Sequence, residues 1–184
     1  NTVEFWMKKE GFNLSKPQEV IFDIGTLPKS VPDNSHAQFK LHLSASTGSP
    51  FRVTYKTATS GSTSIQIGDS TDPVQPITTA SVGDGKWHHY AISVKKIGNN
   101  LKFKLFVDGE INHTITESGI TGTMPEIKSL VCGKIGKDNN TSGGLGSFSG
   151  SLDDFKFWKG TRNNREIGRY FDKKIFANDT SKKE

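Results

Sequence analysis

The sequence predicts an all-β domain, a two-sheet antiparallel jelly-roll sandwich with one short C-terminal helix. Short runs that alternate apolar and polar residues recur along the chain, whereas helical periodicity is almost absent before residue 160. Nineteen glycines supply the tight turns that many short strands require. Because the turn signals are regular and no repeat closes a ring, two packed sheets are favoured over a propeller.

Alternation locates the strands in order along the chain. In the first run Val3, Phe5 and Met7 share one side, which is typical of a strand with one buried face. The last run breaks parity near Asp153 and Asp154, which predicts a β-bulge there. The predicted strands are 2–8, 20–24, 36–44, 51–57, 64–67, a hairpin within 84–111, 129–135 and 148–158.

The hairpin is the most regular segment of the chain. Tyr90, Ile92 and Val94 lie on one side of its first strand, and the turn at 95–100 contains Gly98, which tolerates the positive φ of a tight reversal. Antiparallel pairing of the two strands is therefore predicted.

One helix is predicted after the last strand. Asn163 and Glu166 have the spacing of a capping box, and Ile167, Tyr170 and Phe171 form an apolar stripe at helical spacing. A lone amphipathic helix must bury this stripe against a sheet.

The formal net charge of +5 excludes few functions, because the lysines are spread in doublets. Adjacent strand residues point to opposite faces, so solvated edges and turns are the expected places for these lysines. A surface that attracts anionic glycans or phosphates remains the alternative. Nucleic-acid motifs, membrane-spanning runs and a signal peptide are not found in the sequence. The doublets are Lys8-Lys9, Lys95-Lys96, Lys173-Lys174 and Lys182-Lys183.

Several segments together carry a family resemblance. The sequence resembles the laminin G-like branch of the concanavalin A-like lectin/glucanase superfamily across nearly its whole length. The resemblance implies a jelly-roll domain over 1–177 and a flexible tail at 178–184, and it makes Trp87 and His88 framework residues that hold the sheets together. The matching segments are TVEFWMK, VIFDIG, DGKWHHYAISV, LKFKLFVDGEI, CGKIG and GSFSGSLDDFKFW followed by REIGRYF.

One departure from the family concerns the start of the chain. Family members usually have a strand before the Phe-Trp strand, and this sequence begins too late to contain it. Either the sequence is truncated, or residues 174–177 fill that edge. The strand-like start at Asn1 leads us to expect a longer parent chain with further domains.

Catalysis is not expected, although glycan hydrolases share this fold. Retaining glycosidases need two carboxylates about 5 Å apart on one face. Asp108 and Glu110 straddle a turn, and the adjacent Asp153 and Asp154 point to opposite faces of a regular strand. The protein is therefore predicted not to be an enzyme.

Calcium is the candidate cofactor, in a structural role implied by the resemblance. Many superfamily members hold this ion with a carboxylate on the last strand, which corresponds here to Asp154, with Asp153 or Asp23 as companions. The alternative is that Asp154 caps a bulge by bonding to backbone amides. His88 and His89 diverge on a strand, so they do not make a zinc site.

Candidate ligand-binding residues lie in loops and at one tyrosine. Sugars are recognised by aromatic rings beside polar groups, and Tyr55 and Phe12 are aromatic residues not used by the family framework. The loop at 136–146 offers Asp138, Asn139 and Asn140 for hydroxyl groups, with an ordinary solvated loop as the alternative.

The leading functional hypothesis is a non-catalytic recognition or adhesion module, glycan-binding, within a larger secreted, cell-surface or virion protein. Its partners would be a glycan or a surface protein, and other domains of the parent chain, with no nucleic acid and no membrane insertion. The second hypothesis is a purely structural protein–protein contact domain in a capsid, spike or surface assembly. A glycan-active enzyme is the third.

Overall fold

A computed structural model describes residues 1–16, 18–26, 38–45, 48–57, 61–69, 76–119, 131–138 and 146–173. Within these ranges the chain forms eleven strands and two helices. The strands are β1 Thr2–Lys8, β2 Gln18–Thr26, β3 Gln38–Ser44, β4 Phe51–Thr57, β5 Gly61–Gln66, β6 Trp87–Ile97, β7 Asn100–Val107, β8 Glu110–Glu117, β9 Val131–Ile135, β10 Gly146–Ser147 and β11 Ser151–Trp158, and the helices are α1 Thr79–Val82 and α2 Asn164–Tyr170.

The strands form two sheets, which confirms the predicted sandwich. Sheet A has the strand order β11-β1-β6-β7-β8, and sheet B has the order β10-β2-β3-β4-β5, with β9 also paired to β2. Every pairing is antiparallel except the short parallel contact of β10 with β2. The apolar residues that alternate along each strand meet between the two sheets.

The core lies between the inner faces of the sheets and is rich in phenylalanine. The Phe22 ring of sheet B contacts the Phe155 ring of sheet A with 5.7 Å between centroids, and Phe155 stacks on Phe5. Phe5 and Phe22 are fully buried. Burial of each such side chain stabilises the fold by about 1.5–3 kcal/mol, so these rings hold the two sheets together.

The predicted hairpin is confirmed as β6 and β7. Tyr90 pairs with Val107 and Ile97 with Asn100, and Gly98 in the turn has φ +58°. The framework role expected for Trp87 is wrong, because its side chain is 45% exposed at the start of β6.

The predicted bulge is also confirmed. The register of β1 with β11 shifts between Glu4 and Trp6, opposite Lys156 and Asp153. Asp154 has φ +49°, a left-handed conformation that aspartate tolerates better than most residues. The bulge lets Leu152 and Phe155 both reach the core despite their odd spacing.

Helix α2 packs on the outer face of sheet A. Ile167 is fully buried against Ala91 and Phe106, and the Phe171 ring contacts the His89 ring with 5.5 Å between centroids. Tyr170 is 37% exposed, so only part of the predicted stripe is buried.

An ion pair also lies beneath this helix. Arg162 Nη1 lies 2.7 Å from Glu4 Oε1, and the Glu4 side chain is fully buried. Burial raises the pKa of Glu4, but His89 and Arg162 more than offset it, so the pKa falls below its usual value. The carboxylate therefore stays charged under the helix and anchors the segment that leads into it.

The capping box gives a direct test of the helix start. Asn163 accepts a hydrogen bond from the Glu166 amide at 2.9 Å, and Glu166 Oε2 accepts one from the Asn163 amide at 2.7 Å. We expect Asn163→Ala to lower the free energy of unfolding by about 1 kcal/mol, because one cap is lost. Urea unfolding measures the change, with Arg165→Ala as the neighbouring control at an exposed position; equal losses in both variants would contradict a specific cap.

The sequence did not predict helix α1, a single turn capped by Thr78 and Ser81. Strand β3 begins at Gln38, so the predicted start of this strand at 36 lies outside the described residues. No helix in the described ranges is long and apolar enough to cross a membrane.

Candidate functional site

The predicted hydroxyl-binding loop is only partly described. Asn139 and Asn140 lie outside the described residues. Asp138 is 5% exposed, and its Oδ2 lies 3.8 Å from Lys40 Nζ on the outer face of sheet B. A buried carboxylate beside a lysine is a structural contact, so Asp138 does not present a free acceptor to a sugar.

Tyr55 lies in the core. The side chain is 7% exposed, and its ring contacts Phe39 and Phe103 with centroid distances of 5.9 and 6.3 Å. Burial raises the pKa of Tyr55 to about 12. Its ring has no open face on which a sugar could stack, which corrects the predicted ligand role.

The three predicted calcium ligands do not come together. Phe22 and Phe155 face each other across the core, so Asp23 points outward from sheet B and Asp154 outward from sheet A. Asp23 is fully buried and accepts a hydrogen bond from Gln38 at 2.8 Å. Sheets pack about 10 Å apart, so Asp23 and Asp154 cannot bind one ion.

The two aspartates of β11 have other partners. Asp153 Oδ1 accepts a hydrogen bond from the Asp154 amide at 2.8 Å, and the Asp154 carboxylate pairs with Lys156. Thus Asp153, rather than Asp154, caps the bulge. The described residues contain no group of three His, Cys, Asp or Glu that could hold a metal ion. They do not fit the implied site, and calcium binding stays a prediction.

An open cavity lies at one rim of the sandwich, where β1 ends and β2 and β11 begin. Its volume is about 440 Å³. We call it the rim cavity; its lining residues are Lys8, Lys9, Glu10, Gly11, Phe12, Asn13, Glu19, Ser149, Gly150 and Ser151.

A buried ion pair forms the floor of the rim cavity. Lys9 Nζ lies 2.8 Å from Glu19 Oε1 and also donates to the Ser149 carbonyl at 2.9 Å. Glu19 Oε2 accepts a hydrogen bond from the Ser149 amide at 2.7 Å. Lys9 is 2% and Glu19 3% exposed. The pair therefore ties three separate chain segments together below the opening.

The loop that follows Lys9 is held in place by the segment before β6. The Lys9 carbonyl accepts a hydrogen bond from the Gly85 amide at 2.9 Å. A Cβ on Gly83 would lie 2.9 Å from the Gly11 Cα, so the two backbones touch. Phe12 packs partly on the core, with its ring centroid 4.9 Å from Lys9 Nζ. The cavity thus has a fixed aromatic wall.

A second aromatic side chain lies close to the rim cavity. Trp87 pairs in register with the lining residue Lys8, so the two side chains project from the same face of neighbouring strands. Trp87 is 45% exposed. An accessible indole therefore lies next to the lining residue Lys8, on the outer face of sheet A.

The ion pair was missed from the sequence because Lys8-Lys9 was assigned to a solvated edge. That assignment is wrong for Lys9. Val3, Phe5 and Met7 occupy odd positions of a core-facing run, and Lys9 continues the same parity. Strand parity could have predicted a buried lysine, although not its partner Glu19.

A histidine lies between two carboxylates at the same rim. His88 Nδ1 lies 2.8 Å from Asp108 Oδ2, and its Nε2 lies 3.2 Å from Asp84 Oδ2. Burial lowers the pKa of His88, but the two carboxylates raise it by more, so it lies above its usual value. Both ring nitrogens are engaged, so the imidazole joins two turns rather than serving as a free base.

Comparison with known proteins supports a lectin-like fold. The CBM40 module of the Ruminococcus gnavus IT-sialidase, solved with α2,3-sialyllactose, superposes with a TM-score of 0.62 at 16% identity, covering 91% of this chain and 80% of that one. A heptameric SAP-like pentraxin from Limulus polyphemus gives a TM-score of 0.54 at 16% identity, covering 91% and 67%. These likenesses establish the fold alone.

No curated protein matches the sequence. The family described as the concanavalin A-like lectin/glucanases superfamily matches residues 1–168, which is more than nine-tenths of the chain. The two sheets, the hairpin and the bulged last strand agree with that match. This chain therefore belongs to the concanavalin A-like lectin/glucanases superfamily.

Proposed function

We propose that this domain is a non-catalytic glycan-recognition module of a larger extracellular or surface protein, and that the rim cavity binds the sugar. The observation that carries the proposal is a fixed aromatic wall, Phe12, beside a polar opening in a lectin-like sandwich. The glycan-bound CBM40 neighbour supports the ligand class.

The rim cavity has the chemistry that sugar binding needs. A pyranose ring has apolar faces that pack on aromatic side chains and hydroxyl groups that need hydrogen-bond partners. Phe12 supplies a ring, and the exposed Asn13 and Glu10 supply polar groups at the opening. Its volume falls within the range of about 300–1,000 Å³ found for small-molecule sites.

Preorganisation strengthens this assignment. The Lys9–Glu19 pair and the contact of Gly83 with Gly11 fix the loop before any ligand arrives. A site that is already ordered loses less entropy when it binds. A smaller entropy loss matters for sugars, because they have few apolar atoms and therefore bind weakly.

The rim cavity predicts which side chains carry affinity. A glycan array that includes neutral, sialylated and sulfated sugars identifies the ligand, and calorimetry then measures its affinity for the wild type and two variants. We expect Phe12→Ala and Trp87→Ala each to weaken binding about tenfold, since a stacked aromatic ring is lost. Phe157→Ala is the matched control, because Phe157 is 38% exposed on β11.

Two outcomes would overturn the proposal. Equal losses in Phe12→Ala and Phe157→Ala would remove the rim cavity as the site. If the folded wild type binds no glycan on the array, either with calcium or with chelator, the alternative of a structural contact domain is favoured. Thermal unfolding of each variant verifies that lost binding does not reflect lost folding.

A further inference from the structure

The outer face of sheet A is divided into a covered and an open part. Helix α2 covers the cross-strand pair Ala91 and Phe106 through Ile167. The next outward-facing pair along the same two strands is Ser93 with Lys104, and the one after it is Lys95 with Lys102. Among the described residues, the face therefore changes from apolar and covered to basic within two pairs, with Lys95 exposed and Lys102 and Lys104 partly exposed.

Three lysines and two threonines share this open part. Lys102 pairs with Thr116 and Lys104 with Thr114 on the neighbouring strand β8, so all five side chains project from one face. Their inward-facing neighbours Val94, Leu101 and Phe103 are fully buried in the core. We call this surface the lysine face; its residues are Lys95, Lys102, Lys104, Thr114 and Thr116.

The lysine face is not neutralised by the rest of the described chain. Lys104 Nζ donates to the neutral Asn164 side chain at 2.9 Å, and in the described ranges no carboxylate forms an ion pair with any of its three lysines. Burial, Lys102 and Lys95 together lower the pKa of Lys104, as expected when ammonium groups crowd one another.

This arrangement costs stability. Lys95 and Lys102 are directly opposite each other, and like charges at such positions repel. Nothing in the packing of the core requires cations on the outer face. Repulsion between lysines that nothing else in the fold offsets is expected at a surface where a negatively charged ligand removes that repulsion on binding.

We propose that the lysine face binds a sulfated glycan chain, as a surface separate from the rim cavity. The three ammonium groups provide the charge for several sulfates, and Thr114 and Thr116 provide hydroxyl groups for sugar oxygens. None of the five residues is aromatic, so the face lacks the rings on which nucleic-acid bases stack. A sulfated polysaccharide fits this chemistry better than a single-stranded nucleic acid.

The test compares two triple variants with the same loss of charge. Lys95→Gln/Lys102→Gln/Lys104→Gln neutralises the lysine face. Lys86→Gln/Lys134→Gln/Lys173→Gln removes three exposed lysines elsewhere. Calorimetry measures the binding of a heparin-derived oligosaccharide, the same oligosaccharide after desulfation, and a single-stranded DNA of equal charge.

We expect the lysine-face variant to bind the sulfated oligosaccharide about tenfold or more weakly than the wild type, because three cations are lost. The control variant should lose less than about twofold, since its lysines lie apart. The free lysine-face variant should also melt at a higher temperature than the wild type, since the repulsion is relieved. Desulfation should abolish binding.

Equal losses in the two triple variants would show that net charge alone is responsible and would overturn the proposal. Tighter binding of the DNA than of the sulfated oligosaccharide would overturn the ligand class. Unchanged binding in the folded lysine-face variant would exclude the surface. The rim cavity is tested separately by Phe12→Ala with a neutral glycan, which has no charge for the lysine face, so the failure of one proposal can be told from the failure of the other.

Discussion

Replacing Glu19 by alanine will lower the free energy of unfolding by about 3–5 kcal/mol, because it leaves the buried Lys9 ammonium without its partner. Lys9 is 2% exposed, so water cannot solvate the ion in place of the carboxylate. The substitution also removes the acceptor of the Ser149 amide. Lys9→Met should cost a comparable amount, since it leaves the Glu19 carboxylate buried.

The double variant Lys9→Met/Glu19→Leu separates the ion pair from the packing around it. Apolar replacement of both partners leaves no buried charge, so we expect it to be more stable than either single variant. Urea unfolding followed by tryptophan fluorescence measures all four proteins, and Glu10→Ala is the control for an exposed acid in the same loop. Single-variant losses below about 1 kcal/mol would contradict a buried pair.

Acid will destabilise the domain between about pH 6.5 and about pH 4, and His42 contributes to this loss. Its side chain is 8% exposed on the outer face of sheet B. Burial and the nearby Lys40 and Arg52 lower the pKa of His42 to about 4, although Asp138 opposes them. The folded protein therefore holds this imidazole neutral.

The direction in which stability changes with pH follows from comparison with the unfolded chain, where the pKa of histidine is about 6.5. Above that value the His42 imidazole is neutral in both the folded and the unfolded state, so it causes no loss of stability. Between about pH 6.5 and about pH 4 only the unfolded chain takes up the proton, so stability falls by about 3 kcal/mol over this window. The lowered pKa of His113 acts in the same direction, whereas the raised pKa of His88 acts against it.

His42→Gln tests the assignment, because it removes the titrating group and should flatten the loss of stability between about pH 6.5 and about pH 4. Urea unfolding at several pH values gives the slopes, and His88→Gln is the comparison of opposite sign, because the raised pKa of His88 acts against the loss. Parallel slopes in the wild type and His42→Gln would refute the role of His42. Glu4 adds a further loss at lower pH, since its pKa is below its usual value and its protonation breaks the contact with Arg162.

The elements that the sequence predicted well are those set by neighbouring residues. The β6–β7 hairpin and the capping box of α2 depend on alternation or spacing within a few residues, so their signals are local. The bulge at Asp153 and Asp154 was predicted because the core has to receive both Leu152 and Phe155. Local rules determine these features wherever the element lies in the fold.

The site residues depended on contacts that no local pattern reports. Asp23 and Asp154 are separated because β2 and β11 belong to different sheets, and sheet membership is decided by distant pairing. Tyr55 shares the core-facing parity of Phe51 and Val53, a local signal that its assignment as a ligand residue overlooked. Lys9 had a visible parity signal, but its partners Glu19 and Ser149 are 10 and 140 residues away.

The position of β1 has a consequence for synthesis of the protein. This strand lies between β6 and β11, with Thr2 paired to both Ser93 and Trp158. Among the described strands β1 comes first in the chain, so it must wait for β11 before its second edge is paired. Long-range antiparallel pairing of this kind forms slowly, on the order of milliseconds to seconds. Until β11 has been made, this edge of β1 is free to pair with the wrong strand.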